Sequence, residues 1–254
     1  MQYKYAKDGQ DYSDYSSGRV LYSLPGHPAF PVRLASEIFQ RCLAHRLTLY
    51  GSSTPCTLYD PCCGAAYHLT LLGYLHGENI REVIGSDVDE TAVRLAERNL
   101  GLLHRDGLDR RIREISELLE KYVKESHREA LQSAFVLKGK LSPRSEGLSI
   151  TTRSFQANAT HRAEILSHIP PMSVDIVFTD IPYGQHSQWR GINLIASPAP
   201  LASMLDALLP VLSPSSIVAI SSDKQQKAVH ERYGRIEQFQ IGKRRVVILQ
   251  PISK

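Results

Sequence analysis

Asp180 ends the apolar run Asp175-Ile-Val-Phe-Thr-Asp180 and is followed at once by Ile181-Pro182-Tyr183. A carboxylate at such a place, with a backbone carbonyl beside it, accepts hydrogen bonds from a planar N–H. It holds the nitrogen in line with an electrophile and favours the positive charge that develops there. Tyr183 offers a flat face on which an extruded base can stack. Asp60 and Asp87 end similar runs: Thr57-Leu-Tyr-Asp60, which turns through Pro61-Cys62-Cys63-Gly64, and Val83-Ile-Gly-Ser-Asp87. Parallel strands deliver polar groups to the carboxyl edge of an α/β sheet in this way, and such folds bind ligands at that edge.

The turn after Asp60 is suited to a close backbone approach, because Gly64 has no side chain in the way. It is not a GxGxxG fingerprint, since Ala65 and Ala66 follow Gly64, and it lacks the Gly-Lys-Ser/Thr of a Walker loop. A polyphosphate ligand is therefore not expected. Asp87 is placed to accept both hydroxyls of a ribose. A ribose acid without a phosphate cradle points to S-adenosylmethionine as cofactor, with Asp60, Cys62 and Gly64 at its turn. Taken alone, Asp87 is equally well read as a structural aspartate that caps a turn. The Asp180-Ile-Pro-Tyr183 segment resembles the strand-end D/N-P-P-Y/F tetrapeptide of methyltransferases that act on planar amino or amide nitrogens. Ile181 stands at the second position, which is usually proline. The catalytic candidates are Asp180, Pro182 and Tyr183; the blander alternative is a strand-to-loop turn with no chemistry.

Other residues are candidates for the substrate. His186, Trp189 and Arg190 follow the turn and could grip a base and a phosphate, while Trp189 could equally anchor a loop on the sheet. Arg33 could reach the methionine carboxylate or an RNA phosphate, or simply solvate its helix. Lys243 and Arg244 open a short basic cluster with Arg245 that could add phosphate contacts, or simply be solvated.

These residues need a scaffold, and the pattern between them supplies one. Val32–Arg46 reads as a helix with Leu34, Ile38 and Leu43 on one face. Strands are expected over Thr57–Tyr59, Val83–Ser86, Ser149–Thr152, Val174–Thr179 and Ser216–Ser221. Helices are expected over Tyr67–Leu75, from the cap Asp89 to Leu103, before Pro170, and over Leu201–Leu209. This alternation is the signature of a doubly wound sheet. Phe239–Gly242 and Arg245–Gln250 read as a terminal strand pair. Residues 104–147 interrupt the rhythm with a helical insertion, whose pieces include Leu108, Ile112, Ile115, Leu119 and then Glu125–Val136. It has too few apolar residues for a core of its own. Residues 1–18 read as a loose polar arm, and Gly18–Pro31 as a short strand with a proline-punctuated loop.

With 254 residues, 42% hydrophobic and 22% charged, the chain is of ordinary globular composition. A net charge of +4 permits a nucleic-acid partner without demanding one. No apolar run approaches the roughly 20 residues that span a bilayer, and the polar start from Met1 to Asp8 has no apolar signal core, so a cytoplasmic location is expected. Cys42, Cys56, Cys62 and Cys63 contain no CxxC pair and read as reduced packing residues. No metal is expected.

The chain resembles the avilamycin-resistance rRNA methyltransferases of the AviRa type. The likeness rests on Pro28-Ala-Phe-Pro-Val-Arg-Leu-Ala35, Glu37-Ile-Phe-Gln-Arg41, Asp60-Pro-Cys-Cys-Gly64 and Ser86-Asp-Val-Asp89. It extends to Thr179-Asp-Ile-Pro-Tyr-Gly184 with Trp189, to Ile241-Gly242, and to the helical insertion. The resemblance implies an α/β class I methyltransferase (Rossmann-like) fold: a mostly parallel sheet with helices on both faces, an antiparallel C-terminal strand and a helical insertion, in a single domain. It implies S-adenosylmethionine as donor and methylation of a guanine base in 23S ribosomal RNA, with a link to resistance. It carries Asp60 and Gly64 to the cofactor turn, Asp87 to the ribose, and Asp180 with Tyr183 to the target base. The family has a second glycine where this chain has Ala66, whose methyl is expected to narrow the cofactor approach. It has an aspartate for the adenine after the third strand, where the nearest position here is Ser154, with Gln156 close by. A monomer is expected. Rival readings are a guanine of tRNA or 16S rRNA, a protein glutamine amide, and a non-catalytic RNA-binding protein.

Overall fold

The structure is a computed structural model, and it describes residues 3–6, 9–24, 29–51, 55–141, 149–181, 200–223 and 228–252. In chain order its main elements are α1 (Val32–Tyr50), β1 (Cys56–Asp60), α2 (Tyr67–Leu75), β2 (Ile80–Asp87), α3 (Glu90–Gly101), α4 (Arg105–Tyr122), α5 (Glu125–Leu141), β3 (Thr151–Gln156), α6 (Arg162–Leu166), β4 (Val174–Asp180), α7 (Pro200–Leu208), β5 (Leu212–Ser222), β6 (Tyr233–Ile241) and β7 (Arg244–Pro251). The strands form one seven-stranded sheet in the order β3-β2-β1-β4-β5-β7-β6. The pairs from β3 to β5 are parallel, and β7 pairs antiparallel with both β5 and β6. The mostly parallel sheet with an antiparallel C-terminal hairpin is the expected fold.

The order has a functional consequence. The chain runs outward from β1 through β2 to β3, then returns to lay β4 on the other side of β1. The carboxyl ends of β1 and β4 therefore flank a topological switch point, where open α/β sheets bind ligands. Asp60 and Asp180 are the last residues of those two strands.

The central strands are buried on both faces, as parallel strands covered by helices must be. All of β1 is buried, and β4 is buried up to Thr179. Alternate residues feed two separate apolar clusters. Leu58, Val83 and Ile176 join α1, α2 and the insertion on one side; Tyr59, Ile84 and Val177 join α6 and α7 on the other. Period-two alternation places these sets on opposite faces of the sheet.

The insertion consists of α4 and α5. Its buried side chains, Leu108, Ile115, Ala130, Ala134 and Leu137, belong to the same cluster as α1 and α2. The N-terminal arm departs from expectation, because it is docked. The backbone N–H groups of Lys4, Tyr5 and Ala6 donate to the buried Glu37 carboxylate at 2.7, 2.7 and 2.8 Å, and Tyr15 is 1% exposed within the core. No strand forms over residues 18–24, of which 18–21 make turns and bends.

Candidate active site

Pro61 cannot donate to a ladder, so the chain leaves the sheet at Asp60. The turn that follows is held from both sides. Asp60 Oδ1 accepts the N–H of Cys62 at 2.9 Å, an arrangement that lets a short side chain shape its own turn. The N–H of Cys63 donates to Ser86 O at 2.9 Å, and that of Gly64 donates to Asp87 Oδ2 at 2.9 Å. Asp87 Oδ1 accepts the N–H of Asp89 at 3.0 Å. The turn after β1 is thereby fastened to the end of β2. Gly64 has a φ of +53°, and a Cβ placed on it would meet nothing within 4 Å, so open space fronts the turn.

This geometry fits S-adenosylmethionine. A carboxylate offers about four lone-pair positions, and Asp87 uses one on each oxygen for backbone N–H groups, leaving acceptors for ribose hydroxyls. Burial pushes the Asp87 carboxyl above its usual range, against those two amide hydrogen bonds. Beside it, burial and the charges of Asp60 and Asp87 hold the Cys62 thiol well above the ordinary thiol range, with Asp180 adding to the effect. Cys62 thus sits beside the carboxylates that end β1, β2 and β4.

Ala66 is the residue whose methyl is expected to narrow this approach. It adopts left-handed geometry, φ 54° and ψ 31°, but it is 0% exposed and part of the core beneath the turn. Ser154 also departs from its expected place. It pairs with Gly85, while Gln156 pairs with Asp87, so Ser154 lies about 7 Å short of the carboxyl edge at roughly 3.3 Å per residue. The expected strand ended too early, and Ser154 instead lines a groove with Glu97, Arg153 and His168 on the outer side of β3. Gln156 donates to Val88 O at 2.9 Å. The buried polar residue beyond that strand end is Asn158, a position not singled out from the sequence. The N–H of Ala157, just before it, donates to Asp87 O at 3.0 Å.

Arg33 is engaged elsewhere than at the turn. Its Nε and Nη2 donate to Ala6 O at 3.1 and 2.9 Å, and its guanidinium lies 3.7 Å from the centre of the Tyr3 ring. It fastens the arm to α1.

At the end of β4, Arg244 meets Asp180. Arg244 Nη1 donates to Asp180 Oδ1 and Oδ2 at 2.7 and 2.8 Å, and its guanidinium lies over the Phe30 ring at 4.7 Å. Arg244 is therefore not simply a solvated member of a charge run: it is the partner of the candidate catalytic carboxylate. Burial pushes the Asp180 carboxyl above its usual range, while the charge of Arg244 pulls it down. Lys243, by contrast, is exposed on the β6–β7 turn.

His68 was not anticipated either. It lies in the first turn of α2, buried between Phe30 and Phe178 at 5.6 and 4.8 Å. Its Nε2 is 3.2 Å from Asp60 Oδ2 and 3.4 Å from Phe178 O. Burial disfavours its charge, but the hydrogen bond and charge of Asp60, with help from Asp180, raise its pKa above the ordinary value. The signal available was its place one turn after Gly64, on the helix that faces the switch point. Pro182, Tyr183, His186, Trp189 and Arg190 lie outside the described residues.

A parallel sheet reversing its order between β1 and β4, with a carboxylate ending β2 and an antiparallel hairpin beyond β5, is the class I methyltransferase arrangement. The chain belongs to the AviRa family: the family described as rRNA methyltransferase AviRa matches residues 1–244. It is 39% identical over 249 residues to the 23S rRNA (guanine(2535)-N(1))-methyltransferase of Streptomyces viridochromogenes, covering 98% of this chain and 95% of that protein. Two structures of the rRNA methyltransferase aviRa from that organism superpose with TM-scores of 0.83 and 0.85 at 38% and 37% identity, each covering 98% of this chain and 96% of the other.

Proposed function

We propose that this protein transfers a methyl group from S-adenosylmethionine to N1 of a guanine in 23S ribosomal RNA. The observation that carries the reading is the Asp180 carboxylate, ordered by Arg244 at the switch point beside the Asp60–Gly64–Asp87 edge. The name of the Streptomyces relative, a guanine-N1 enzyme, supports the choice of base and atom. The cofactor supplies an electrophilic methyl group when bound. Asp87 holds its ribose, and the backbone at Gly64 lets it come close.

The N1 lone pair of guanine is delocalised into the ring carbonyl, so N1 becomes a good nucleophile as its proton leaves. Asp180 accepts that N–H and takes the proton. A carboxylate made more basic by burial suits the task, since a base works best when its pKa moves toward the working pH. Tyr183, following Pro182, gives the base a stacking face. His186, Trp189, Arg190 and the exposed Lys243 hold flanking RNA. The enzyme works as a single-domain monomer in the cytoplasm, and the methyl group it adds protects the ribosome from an orthosomycin antibiotic.

The test is incubation of the purified protein with tritiated S-adenosylmethionine and a cell lysate whose ribosomal RNA is unmodified, followed by separation of 23S rRNA, 16S rRNA, tRNA and protein. Label confined to 23S is expected. Label in 16S rRNA, in tRNA or in protein would favour the corresponding rival substrate.

A further inference from the structure

Arg244 comes from a distant part of the chain, yet it is built into the site. Asp180 pairs with Ser221 on β5, and Ser221 pairs with Val246 on β7. Arg244 precedes Val246 by two residues, so its side chain must reach across β5 to the end of β4. Its side chain is only 16% exposed. The guanidinium is held by the Phe30 ring at 4.7 Å, and Phe30 packs edge-on against Phe178 at 5.5 Å. A cation clamped between an aromatic face and a carboxylate is a placed group, unlike the exposed Lys243 next to it.

The pair has a definite chemical polarity. Guanine presents, in order along one edge, the O6 acceptor, the N1–H donor and the N2–H2 donors. A carboxylate matches the two donors, and a guanidinium bound to that same carboxylate stands next to the position of O6. Adenine presents an amino donor in place of O6 and a bare acceptor in place of N1–H. Its edge would set donor against donor and lone pair against carboxylate, which leaves buried polar groups unpaired and costs binding.

We propose that Arg244 is a specificity and charge-stabilising residue of the methyl-transfer site, donating a hydrogen bond to O6 of the target guanine. The inference rests on the guanine-N1 reading above. In the step it serves, the N1–H bond breaks and its proton goes to a carboxylate oxygen of Asp180. The electron pair stays on N1 and is shared with O6; it then forms the bond to the donor's methyl carbon as the sulfur–methyl bond breaks, with that bond's electrons returning to sulfur to leave S-adenosylhomocysteine. Negative charge thus grows on O6 beside a cation already oriented by Phe30 and Asp180, so little reorganisation is needed.

The experiment compares wild-type protein with Arg244→Gln and Arg244→Lys on 23S rRNA carrying guanine, inosine or adenine at the labelled position. It reads kcat and KM separately, cofactor affinity by calorimetry, and folding by circular dichroism. Loss of one such donor typically lowers kcat by about 100-fold or more. Arg244→Gln is expected to show that loss with cofactor affinity unchanged. KM for the RNA should move less than about threefold, since phosphate contacts elsewhere dominate affinity. Inosine, which keeps O6 and N1–H, should suffer the same relative loss. Arg244→Lys, which keeps charge without the planar fork, should recover part of kcat, and it decides the matter if Arg244→Gln fails to fold. A kcat within about threefold of wild type in the variants, or a change in KM alone with a weaker salt dependence, would overturn the proposal and return Arg244 to phosphate binding. If wild type labels no guanine N1, the reading beneath the proposal fails; if it does and Arg244→Gln matches it, only the role of Arg244 fails.

Discussion

The N–H of Gly64 donates to Asp87 Oδ2 at 2.9 Å. One carboxylate oxygen therefore fastens the turn after β1 to the end of β2, and the other, through Asp89, fixes the start of α3. The proposed ribose acceptor is also a structural clamp. Its position is set before any ligand arrives, which reduces the ordering cost of binding.

Asp87→Ala removes both acceptors at once. Cofactor affinity should fall at least tenfold, equivalent to about 1.4 kcal/mol, as measured by calorimetry. Asp87→Asn retains an acceptor oxygen and should fall less. Unchanged affinity in the alanine variant would remove Asp87 from the cofactor site.

Ala66→Gly tests whether the methyl group matters to the cofactor or only to the fold. A left-handed alanine costs roughly 1–2 kcal/mol, but glycine gives up a buried methyl worth about 0.8 kcal/mol and gains freedom in the unfolded chain. Stability should change by less than about 1 kcal/mol on these opposing effects, and cofactor affinity should not change. Tighter cofactor binding would show that the methyl reaches the cleft.

His68 makes stability depend on pH. Its folded pKa lies above the ordinary 6.5 despite burial, because of Asp60 and then Asp180. Its contribution is thus fully present below pH 6.5 and is lost as pH rises through the folded value. Urea denaturation of wild type and His68→Gln across this range should show a stability gap that is widest at low pH and shrinks upward. A constant gap would mean that His68 does not titrate with folding.

Glu37 binds the arm. Burial opposes its charge, but the amides of Ala6, Lys4 and Tyr5, with Arg41, hold its carboxyl below the usual range. Its stabilisation is therefore present above pH 4.5 and lost as pH falls through the lower folded value. Glu37→Ala leaves the buried Arg41 with Glu237 as a carboxylate partner but strips the backbone N–H groups of residues 4–6 of their acceptor, and a buried donor left unpaired costs about 1–3 kcal/mol. Denaturation should show this loss, and hydrogen exchange should speed up at residues 4–6. Unchanged exchange there would mean that the arm is held by other contacts.

Much of this architecture was legible in the chain because its punctuation is local. Pro61 and Gly64 end β1 and open a turn, and Asp89 caps α3 through Thr91 at 2.8 Å, so β1, α2 and α3 fall close to expectation. Most of the errors share one cause, which is pairing over long separations. The polar, tyrosine-rich arm looks loose until Glu37 collects its amides. Arg244 reads as part of a bare charge run until the sheet brings it to a carboxylate 64 residues earlier. Edge strand β3 has a single buried residue, Phe155, so its apolar pattern was too weak to fix its end, and Ser154 was placed at an edge it does not reach. His68 gave no signal beyond its position, because its partners come from β1 and β4.

The most direct test of the account is methyl transfer to 23S rRNA by Asp180→Ala, measured with tritiated S-adenosylmethionine alongside calorimetric cofactor binding. Label on guanine N1 with wild type, none with the variant, and cofactor affinity within about threefold of wild type, a difference under 1 kcal/mol, is the predicted result. Turnover retained by Asp180→Ala would contradict the assignment of the N1 proton to this carboxylate.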